Sequence, residues 1–288
     1  MIDHLAILGL GLIGGSLARA LRASGGVGRI SAFDPDPRQG EAGLKLGVVD
    51  RVCPTAAAAV ADASLVVIAV PVLHTAEALA DCRAGLRPGT VVTDVGSTKG
   101  SVLADIRRLL GELPDWFVPG HPIAGTEKSG VAHAFPELFR GRRVILTPHD
   151  RQAPGACEQV VAMWQSVGAR VVQMDAARHD AIFAATSHFP HLLAYSFVDM
   201  LARRDDADDL FPNAGGGFRD FTRIASSSPA MWHDIIRANA GPVRDLLQQQ
   251  IAELQHLLQL LQADDWAGLQ VVFERARRAR ERHLSEIE

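Results

Sequence analysis

The sequence predicts an α/β fold in which an N-terminal, Rossmann-like parallel-sheet domain precedes an all-helical C-terminal domain. Three observations support this fold class. A glycine motif follows the first apolar segment, short apolar segments then alternate with helical ones, and the alternation stops near Asp175. Strands that alternate with helices indicate a doubly wound parallel sheet. We therefore expect one domain at 1–174 and a second at 175–288.

The composition is that of an ordinary globular protein. Of the 288 residues, 48% are apolar and 22% are charged, which is ample material for a core. The net charge of −4 argues against nucleic acid or a membrane surface as a partner, because both need a positive field. Cys53, Cys82 and Cys157 follow no disulfide or metal pattern, which favours a reducing cytoplasm. Residues 1–15 are too short and glycine-rich for a membrane span.

The first predicted strand, residues 5–8, runs directly into the motif GxGxxG. Gly9 suits the tight turn, Gly11 lets a pyrophosphate approach the backbone, and Gly14 lets the next helix pack closely on the strand. The start of that helix presents unpaired N–H groups and a positive dipole end to the phosphates. A glycine motif alone is weak, but a strand before it and a helix after it indicate a dinucleotide site.

Asp34 gives a second indication of that site. It ends the second predicted strand, residues 29–33, twenty residues after Gly14. An acid there hydrogen-bonds the adenosine ribose hydroxyls and repels a 2′-phosphate, so we expect NAD and not NADP. The alternative is that Asp34 only starts the turn with Pro35.

The alternation then continues along the chain. The next strand, residues 65–70, is fully apolar, as expected in a parallel sheet covered on both faces. Further elements are predicted as a helix at 74–84, a strand at 90–94, a helix from about residue 98, and strands at 116–119 and 143–147. Ligands of such sheets sit beyond the carboxyl ends of the strands. The remaining residues of the predicted cofactor site are Leu12, Ile13, Val70, Pro71 and Ser97.

Two polar segments follow strand ends in this domain. Residues 95–99 contain Ser97, and residues 120–122 contain His121. We therefore expect His121 to lie beside the nicotinamide, where a histidine of near-neutral pKa is the usual general base for a hydroxyl proton. Ser97 could orient that hydroxyl or the imidazole.

Residues 178–204 carry apolar groups at helical spacing. Pro190 cannot donate a hydrogen bond within this helix, so the helix should kink there. His188 and His191 flank the proline, and a histidine in such a place is more often structural than functional. No third ligand is spaced to complete a zinc site with them, so we expect no metal.

Arg219 and Arg223 are separated by four residues, so they share one face of a helix. Two adjacent guanidiniums repel each other and need anions nearby. Flanking phenylalanines and Ile224 suggest a partly buried segment, in which fork-shaped donors suit carboxylates. The alternative is a solvated basic face.

The last two helical segments point to an assembly. Residues 243–262 carry a wide apolar stripe, which favours a helical subunit interface, with packing inside one chain as the alternative. The arginine-rich C-terminal segment is balanced by acids and is interpreted as a solvated face. We expect a homodimer through these helices.

Together these parts predict an NAD-dependent dehydrogenase that acts on an anionic alcohol. One alternative is a 3-hydroxyacid-type dehydrogenase, which typically uses a lysine of the helical domain. Here Lys45, Lys99 and Lys128 all lie in the first half. Another alternative is a dinucleotide sensor without turnover, but no basic recognition helix is evident.

A family resemblance sharpens this interpretation. Five motifs occur in the order found in prephenate dehydrogenases: GLGLIGGSLA at 9–18, DVGSTKG at 94–100, HPIAGTEKSG at 121–130, SHFPH at 187–191 and GFRDFTRIA at 217–225. The chain resembles that family, which includes the arogenate and cyclohexadienyl dehydrogenases of tyrosine biosynthesis, over almost its whole length. The last four motifs are far more specific than the first. The resemblance implies a Rossmann-like domain and a helical domain that forms the dimer.

The resemblance also implies roles for single residues. The catalytic histidine of the family falls on His121, and the serine that hydrogen-bonds the substrate's ring hydroxyl falls on Ser97. Glu127 matches an acid near the site entrance. His191 matches a histidine that lines the substrate pocket, and Arg223 matches the arginine that holds a carboxylate.

Two further residues are expected at the substrate. His188 belongs to the same SHFPH motif. Arg219 stands where some members have lysine, so it keeps the charge and changes the reach.

The implied reaction is the oxidative decarboxylation of prephenate to 4-hydroxyphenylpyruvate, of arogenate to tyrosine, or of both. The two substrates differ by a keto against an amino group, and the sequence leaves that choice and any feedback by tyrosine open. The predicted elements run from residue 4 to Glu288. We therefore expect neither the fused chorismate mutase nor the regulatory domain of some members.

Overall fold

The computed structural model describes residues 1–126 and 128–283, and it confirms the α/β fold class. Its strands are β1 (Ile2–Leu8), β2 (Val27–Phe33), β3 (Arg51–Val52), β4 (Leu65–Ile68), β5 (Val91–Asp94), β6 (Phe117–Val118), β7 (Gly120–Pro122), β8 (Arg143–Leu146) and β9 (Arg170–Gln173). Its helices in the first half are α1 (Leu12–Ala23), α2 (Pro37–Lys45), α3 (Ala56–Val60), α4 (Thr75–Arg83), α5 (Gly100–Leu110) and α6 (Pro154–Ser166). The second half contains α7 (Ala176–Phe183), α8 (Phe189–Ala202), α9 (Ala207–Leu210), α10 (Gly216–Thr222), α11 (Pro229–Ala238), α12 (Ala240–Gln262) and α13 (Trp266–Arg282).

Six strands form one parallel sheet in the order β3-β2-β1-β4-β5-β6. The chain order reverses between β1 and β4, so their carboxyl ends flank the crevice where such sheets bind ligands. The glycine motif follows β1 directly, and it therefore lies at that crevice.

The two faces of this sheet are buried in two separate cores. Along β1, Leu5 and Ile7 belong to one core, which includes side chains of α1 and α6, while Ala6 and Leu8 belong to the other, which includes side chains of α3, α4 and α5. This alternation is the period of two that a strand imposes on its side chains. It explains why the sheet strands are apolar without interruption.

The last three strands lie outside this parallel sheet, in which the segment of β8 was expected; β7 and β9 were not predicted as strands. The three strands form a second sheet in the order β7-β8-β9, in which β7 is antiparallel to β8 and β8 is parallel to β9. A parallel pair needs a long crossover, usually a helix. The helix α6 provides this crossover between β8 and β9, whereas a 3-10 turn, Val131–His133, is the helical element between β7 and β8 in the described residues.

A wide helical turn separates α7 from α8. The residues Ala184–His188 form a π-helical turn, and Pro190 follows in the first turn of α8. The predicted kink at Pro190 stays a prediction, while the π-turn directly before it is a form that frequently marks functional sites.

Contacts divide the chain into two compact units, the first ending at Ala240 and the second starting at Gly241. The predicted domain boundary at 174/175 lies between β9 and α7 and stays a prediction. In the second unit, α12 exposes a row of leucines and one isoleucine: Leu247, Ile251, Leu254, Leu258 and Leu261. Among the described residues, no helix is long and apolar enough to cross a membrane.

Candidate active site

His121 lies at the middle of β7, and a second histidine holds its ring. The Nδ1 atom of His121 is 2.9 Å from Nε2 of His179 on α7. The ring of Phe183 packs edge-on against the His121 ring at a centroid distance of 4.9 Å. Burial holds the pKa of His121 well below 6.5, and the nearby His179, Lys99 and His188 act in the same direction. His121 is therefore a neutral imidazole at physiological pH.

His179 and Asp180 were not predicted from the sequence. His179 is fully buried, and its Nδ1 lies 2.8 Å from Oδ1 of Asp180. Burial lowers the pKa of His179 below 6.5, although Asp180 acts in the opposite direction. An acid directly after a histidine in the first helix after the last strand is the only signal in the sequence that could have suggested the pair.

Asp180 also fixes the loop that carries Ser97. Its two carboxylate oxygens accept hydrogen bonds of 2.8 Å from the backbone N–H groups of Lys99 and Gly100, at the start of α5. Burial tends to raise the pKa of Asp180, but hydrogen bonds from His179 and from these amides hold it below the usual 3.8. Asp180 therefore caps α5 from another helix.

A buried ion pair joins the same loop to the strand of His121. The Nζ atom of Lys99, which is fully buried, contacts Oδ2 of Asp94 and donates to the carbonyl oxygen of Gly120 over 2.6 Å. Oδ1 of Asp94 accepts from the Gly120 N–H, and Oδ2 accepts from the Gly96 N–H. Burial lowers the pKa of Lys99, and Asp94 opposes that shift. The end of β5 and the start of β7 are thereby held side by side.

Ser97 lies in this clamped loop and is half-buried. Its hydroxyl makes no hydrogen bond to another residue within the described part of the chain, so it is available to a ligand. The loop geometry thus supports the expectation that Ser97 and His121 serve one site. Lys99, whose buried ion pair was not predicted from the sequence, is part of the framework of that site.

The three glycines of the motif differ in the space around them. A Cβ atom on Gly9 would meet the carbonyl oxygen of Ala69 at 2.5 Å, and one on Gly14 would overlap the carbonyl oxygen of Gly9. Gly9 also has a φ of +98°, which favours glycine. A Cβ on Gly11, by contrast, would meet no atom within 4 Å. The first and third glycines are required by packing, and the second faces open space where a pyrophosphate fits.

Asp34 lies at the end of β2 and holds the glycine loop. Its Oδ2 accepts from the Leu10 N–H over 2.7 Å, and its Oδ1 accepts from the Asp36 N–H over 2.9 Å. The turn that was considered as the alternative is therefore present together with a direct link to the cofactor loop. Each carboxylate oxygen keeps a lone pair for a ribose hydroxyl.

The other predicted cofactor residues lie around the same crevice. Leu12 and Ile13 open α1, where Leu12 is buried and Ile13 is half-buried. Val70 is half-buried and Pro71 is exposed, just beyond the end of β4. Their positions flank the switch point between β1 and β4, as a dinucleotide site requires.

A second cluster surrounds the π-turn. His188 is 1% exposed, and its Nδ1 lies 3.0 Å from Nδ2 of Asn239, which also donates to the carbonyl oxygen of Asp180 over 2.8 Å. Burial, helped by His179 and His191, lowers the pKa of His188 to about 4, although Asp180 opposes the shift. The cluster is thus connected to Asp180, and His188 is neutral at physiological pH.

His191 stacks on Trp232, which was also missed by the sequence analysis. The two rings lie 3.5 Å apart with an interplanar angle of 18°. Nδ1 of His191 donates to the Ser187 carbonyl oxygen over 2.9 Å, so Nε2 is left for other partners. Burial lowers the pKa of His191, and the positive charge of Arg223 acts in the same direction, while the bond to Ser187 opposes both. Arg223 therefore lies within electrostatic range of His191.

The arginine segment is more exposed than expected. Arg219 lies on α10, and Arg223 begins the 3-10 turn that follows, with the backbone still helical. Both arginines are exposed, and Phe221 is 48% exposed, while Phe218 and Ile224 are half-buried. The backbone is helical across both arginines, and half-buried Phe218 and Ile224 agree with the expected partly buried segment, whereas Phe221 is more exposed than expected.

Glu127 lies outside the described residues. Among the described residues, no group of three or more His, Cys, Asp or Glu side chains could hold a metal ion.

Two family models match the chain. The model "Prephenate dehydrogenase, nucleotide-binding domain" matches residues 17–173, and the model "Prephenate dehydrogenase, dimerization domain" matches residues 175–275.

Curated relatives match over nearly the full chain. The prephenate dehydrogenase of Bacillus subtilis is 38% identical over 279 residues, which cover 96% of this chain and 75% of that protein. The cyclohexadienyl dehydrogenase of Zymomonas mobilis is 35% identical over 283 residues, which cover 97% and 96%. The crystal structure of prephenate dehydrogenase from A. aeolicus in complex with hydroxyphenyl propionate and NAD+ superposes with a TM-score of 0.90 at 34% identity, covering 100% of this chain and 99% of that one.

Proposed function

Because the chain belongs to the prephenate dehydrogenase family, we propose that it catalyses the NAD-dependent oxidative decarboxylation of prephenate, a step towards tyrosine. The observation that carries the proposal is the neutral His121, whose ring is held by His179 and whose strand is bonded to the loop of Ser97 through Lys99. A relative named cyclohexadienyl dehydrogenase supports arogenate as a second substrate to be tested.

NAD, when bound, accepts the hydride from the ring carbon that bears the hydroxyl. His121 takes the proton of that hydroxyl as the hydride leaves. The electrons of the bond to the ring carboxylate then move into the ring, carbon dioxide departs, and the oxygen becomes a phenolate. His121 returns its proton to that oxygen, so atoms and charges balance, and aromatisation makes the step effectively irreversible.

The substrate's two carboxylates are assigned to the arginine segment. Arg223 would hold one carboxylate beside His191, and Arg219, exposed on the preceding turn, would reach the other. Ser97 would hydrogen-bond the ring hydroxyl, and Glu127 would stand at the entrance. We assign His188 to support of the pocket and not to substrate contact, because it presents 1% of its surface.

The test is NADH formation by the purified protein with prephenate or arogenate, followed by near-ultraviolet absorbance, with carbon dioxide measured in parallel. The assay is repeated with NADP and with a 3-hydroxyacid. Reduction of NAD with prephenate and release of carbon dioxide are expected. Turnover of the 3-hydroxyacid alone would contradict the proposal, and equal efficiency with NADP would contradict the role of Asp34.

A variant tests the base itself. His121→Asn should lower kcat by about two to four orders of magnitude, with prephenate binding largely kept, because it removes the general base. Unchanged turnover in the folded variant would remove His121 from the mechanism.

A further inference from the structure

The hydrogen-bonded chain Asp180–His179–His121 determines where the protons are. An ionised carboxylate only accepts hydrogen bonds, so Nδ1 of His179 must carry a proton and donate it to Oδ1 of Asp180 over 2.8 Å. The neighbouring amides of Lys99 and Gly100 donate to the same carboxylate, which favours its ionised form.

The next proton follows from the neutrality of His179. Its side chain is fully buried, and burial lowers its pKa, so at physiological pH it carries one proton only. That proton is on Nδ1, and its Nε2 is therefore an acceptor. The contact of 2.9 Å between this Nε2 and Nδ1 of His121 must then be a hydrogen bond donated by His121.

We propose that His179 and Asp180 are positioning residues that hold His121 as the Nδ1–H tautomer, with the lone pair on Nε2 as the base for the substrate hydroxyl. The inference rests on the proposed function for its chemistry, but the tautomer itself follows from the contacts. An isolated neutral imidazole would populate both tautomers, and only one of them presents a free lone pair at Nε2.

The hydrogen bonds from Asp180 through His179 to His121 also stabilise His121 after it has taken the substrate's proton. When His121 is protonated at Nε2, its Nδ1–H still donates to His179, and the charge of Asp180 lies one imidazole away. The groups that face His121 are His179, Lys99 and His188, with Phe183 against the ring. Because the charges among them are positive or absent, Asp180 and Asp94 behind them supply the compensating negative charge.

Asp180 both orients His179 and caps α5, so a variant at Asp180 would change two features at once. The same carboxylate that orients His179 caps α5 and fixes the loop of Ser97. A change at Asp180 would therefore disturb loop and tautomer together. His179 makes the cleaner test, because its two ring nitrogens contact only Asp180 and His121 among the described residues.

The experiment compares His179→Gln with His179→Leu. The glutamine amide can accept from His121 and donate to Asp180, whereas leucine can do neither. We expect His179→Leu to lower kcat with prephenate by about 100-fold, the lower end of the range for a general base, and His179→Gln to recover most of that loss. The KM values for prephenate and NAD should stay within about threefold in both, because neither nitrogen is placed at a ligand. Equal kcat in the two variants, whether high or low, would overturn the proposal.

A second readout is independent of turnover. Nitrogen-15 NMR of histidine-labelled wild-type protein, with the His121 signal identified by its loss in His121→Asn, reports which ring nitrogen is protonated. A proton on Nδ1 is expected, and a proton on Nε2 alone would overturn the proposal even if prephenate is turned over. If the wild type does not oxidise prephenate, the proposed function is contradicted, and the NMR result alone tests the tautomer. If His179→Leu does not fold, the NMR result again tests the tautomer.

Discussion

At the scale of single residues, burial decides the working pH range of His121. In the proposed mechanism His121 must be unprotonated, and burial holds its pKa well below 6.5, so the neutral form persists as the pH falls. We expect kcat/KM for prephenate to stay level from neutral pH to below 6.5 and to fall only at lower pH, since this ratio reports the free enzyme. A pH profile with circular dichroism at each point measures this. Half-loss of activity at or above 6.5 in folded protein would contradict it.

The arginines are the second residue-scale test. Arg223→Ala should raise the KM for prephenate by about tenfold or more with a smaller change in kcat, because a charge-assisted hydrogen bond is worth about 1.5–3 kcal/mol. Steady-state kinetics measure both constants. Arg203→Ala is the matched control, since Arg203 is paired with Asp199 on the exposed surface of α8. A KM like that of the wild type would refute the assigned role.

Residues differ in how far the sequence reveals them. His121 and the glycines stand in local motifs whose chemistry can be deduced from neighbours along the chain. His179 and Asp180 are adjacent in a helix and resemble an ordinary polar pair. Their meaning comes from contacts 58 and 81 residues earlier in the chain, with His121 and Lys99. Spacing rules do not extend over such separations, so the pair could be recognised only in the folded chain.

At the scale of elements, the turn between β1 and α1 contains one glycine that is needed for folding and another that is needed for NAD binding. Gly11→Ala should fold normally but weaken NAD binding by about tenfold, or about 1.4 kcal/mol, because the new methyl group enters the space left for the pyrophosphate. Gly14→Ala should instead lower the Tm, because its methyl group overlaps the Gly9 carbonyl. Calorimetry of NAD binding and thermal unfolding of both variants measure the difference. Loss of stability in Gly11→Ala with NAD binding kept would contradict this division.

Elements also show which part of the fold is local. Apolar segments that end at a glycine or proline predicted the bounds of β1, β2, β4 and β5 to within a few residues. These signals are local, because each depends only on residues that are close in the sequence. The partner of a strand is not encoded in that way. The segment that became β8 was expected in the parallel sheet. It pairs antiparallel with β7, and a short 3-10 turn is the helical element that the described residues place between the two strands.

At the scale of the whole molecule, α12 exposes a row of apolar side chains whose contact with water is energetically unfavourable. Leu247, Ile251, Leu254, Leu258 and Leu261 repeat at alternating steps of four and three residues, the spacing of a helix–helix seam. The matching family model is named for dimerization and covers the whole of this helix. These observations support the expected homodimer.

The dimer can be tested with two charge insertions on one helix. Leu254→Glu should reduce the mass in light scattering from that of two chains to that of one, because it places a charge in the apolar row. Gln255→Glu adds the same charge next to it, at an exposed polar position, and should leave the mass unchanged. A monomeric wild type, or a dimer that tolerates Leu254→Glu, would contradict the assignment.

The cap that Asp180 places on α5 has a consequence for recombination between family members. His121 and the loop of Ser97 are encoded before residue 174, while His179 and Asp180, which contact them, are encoded after it. If the C-terminal half were exchanged at that boundary, α7 would come from another protein and the loop of Ser97 from this one. An active chimera would therefore have to take residues 176–183 and residues 94–122 from the same parent. The hydrogen bonds between these segments, and not the last strand of the sheet, define the segment that must be exchanged as a whole.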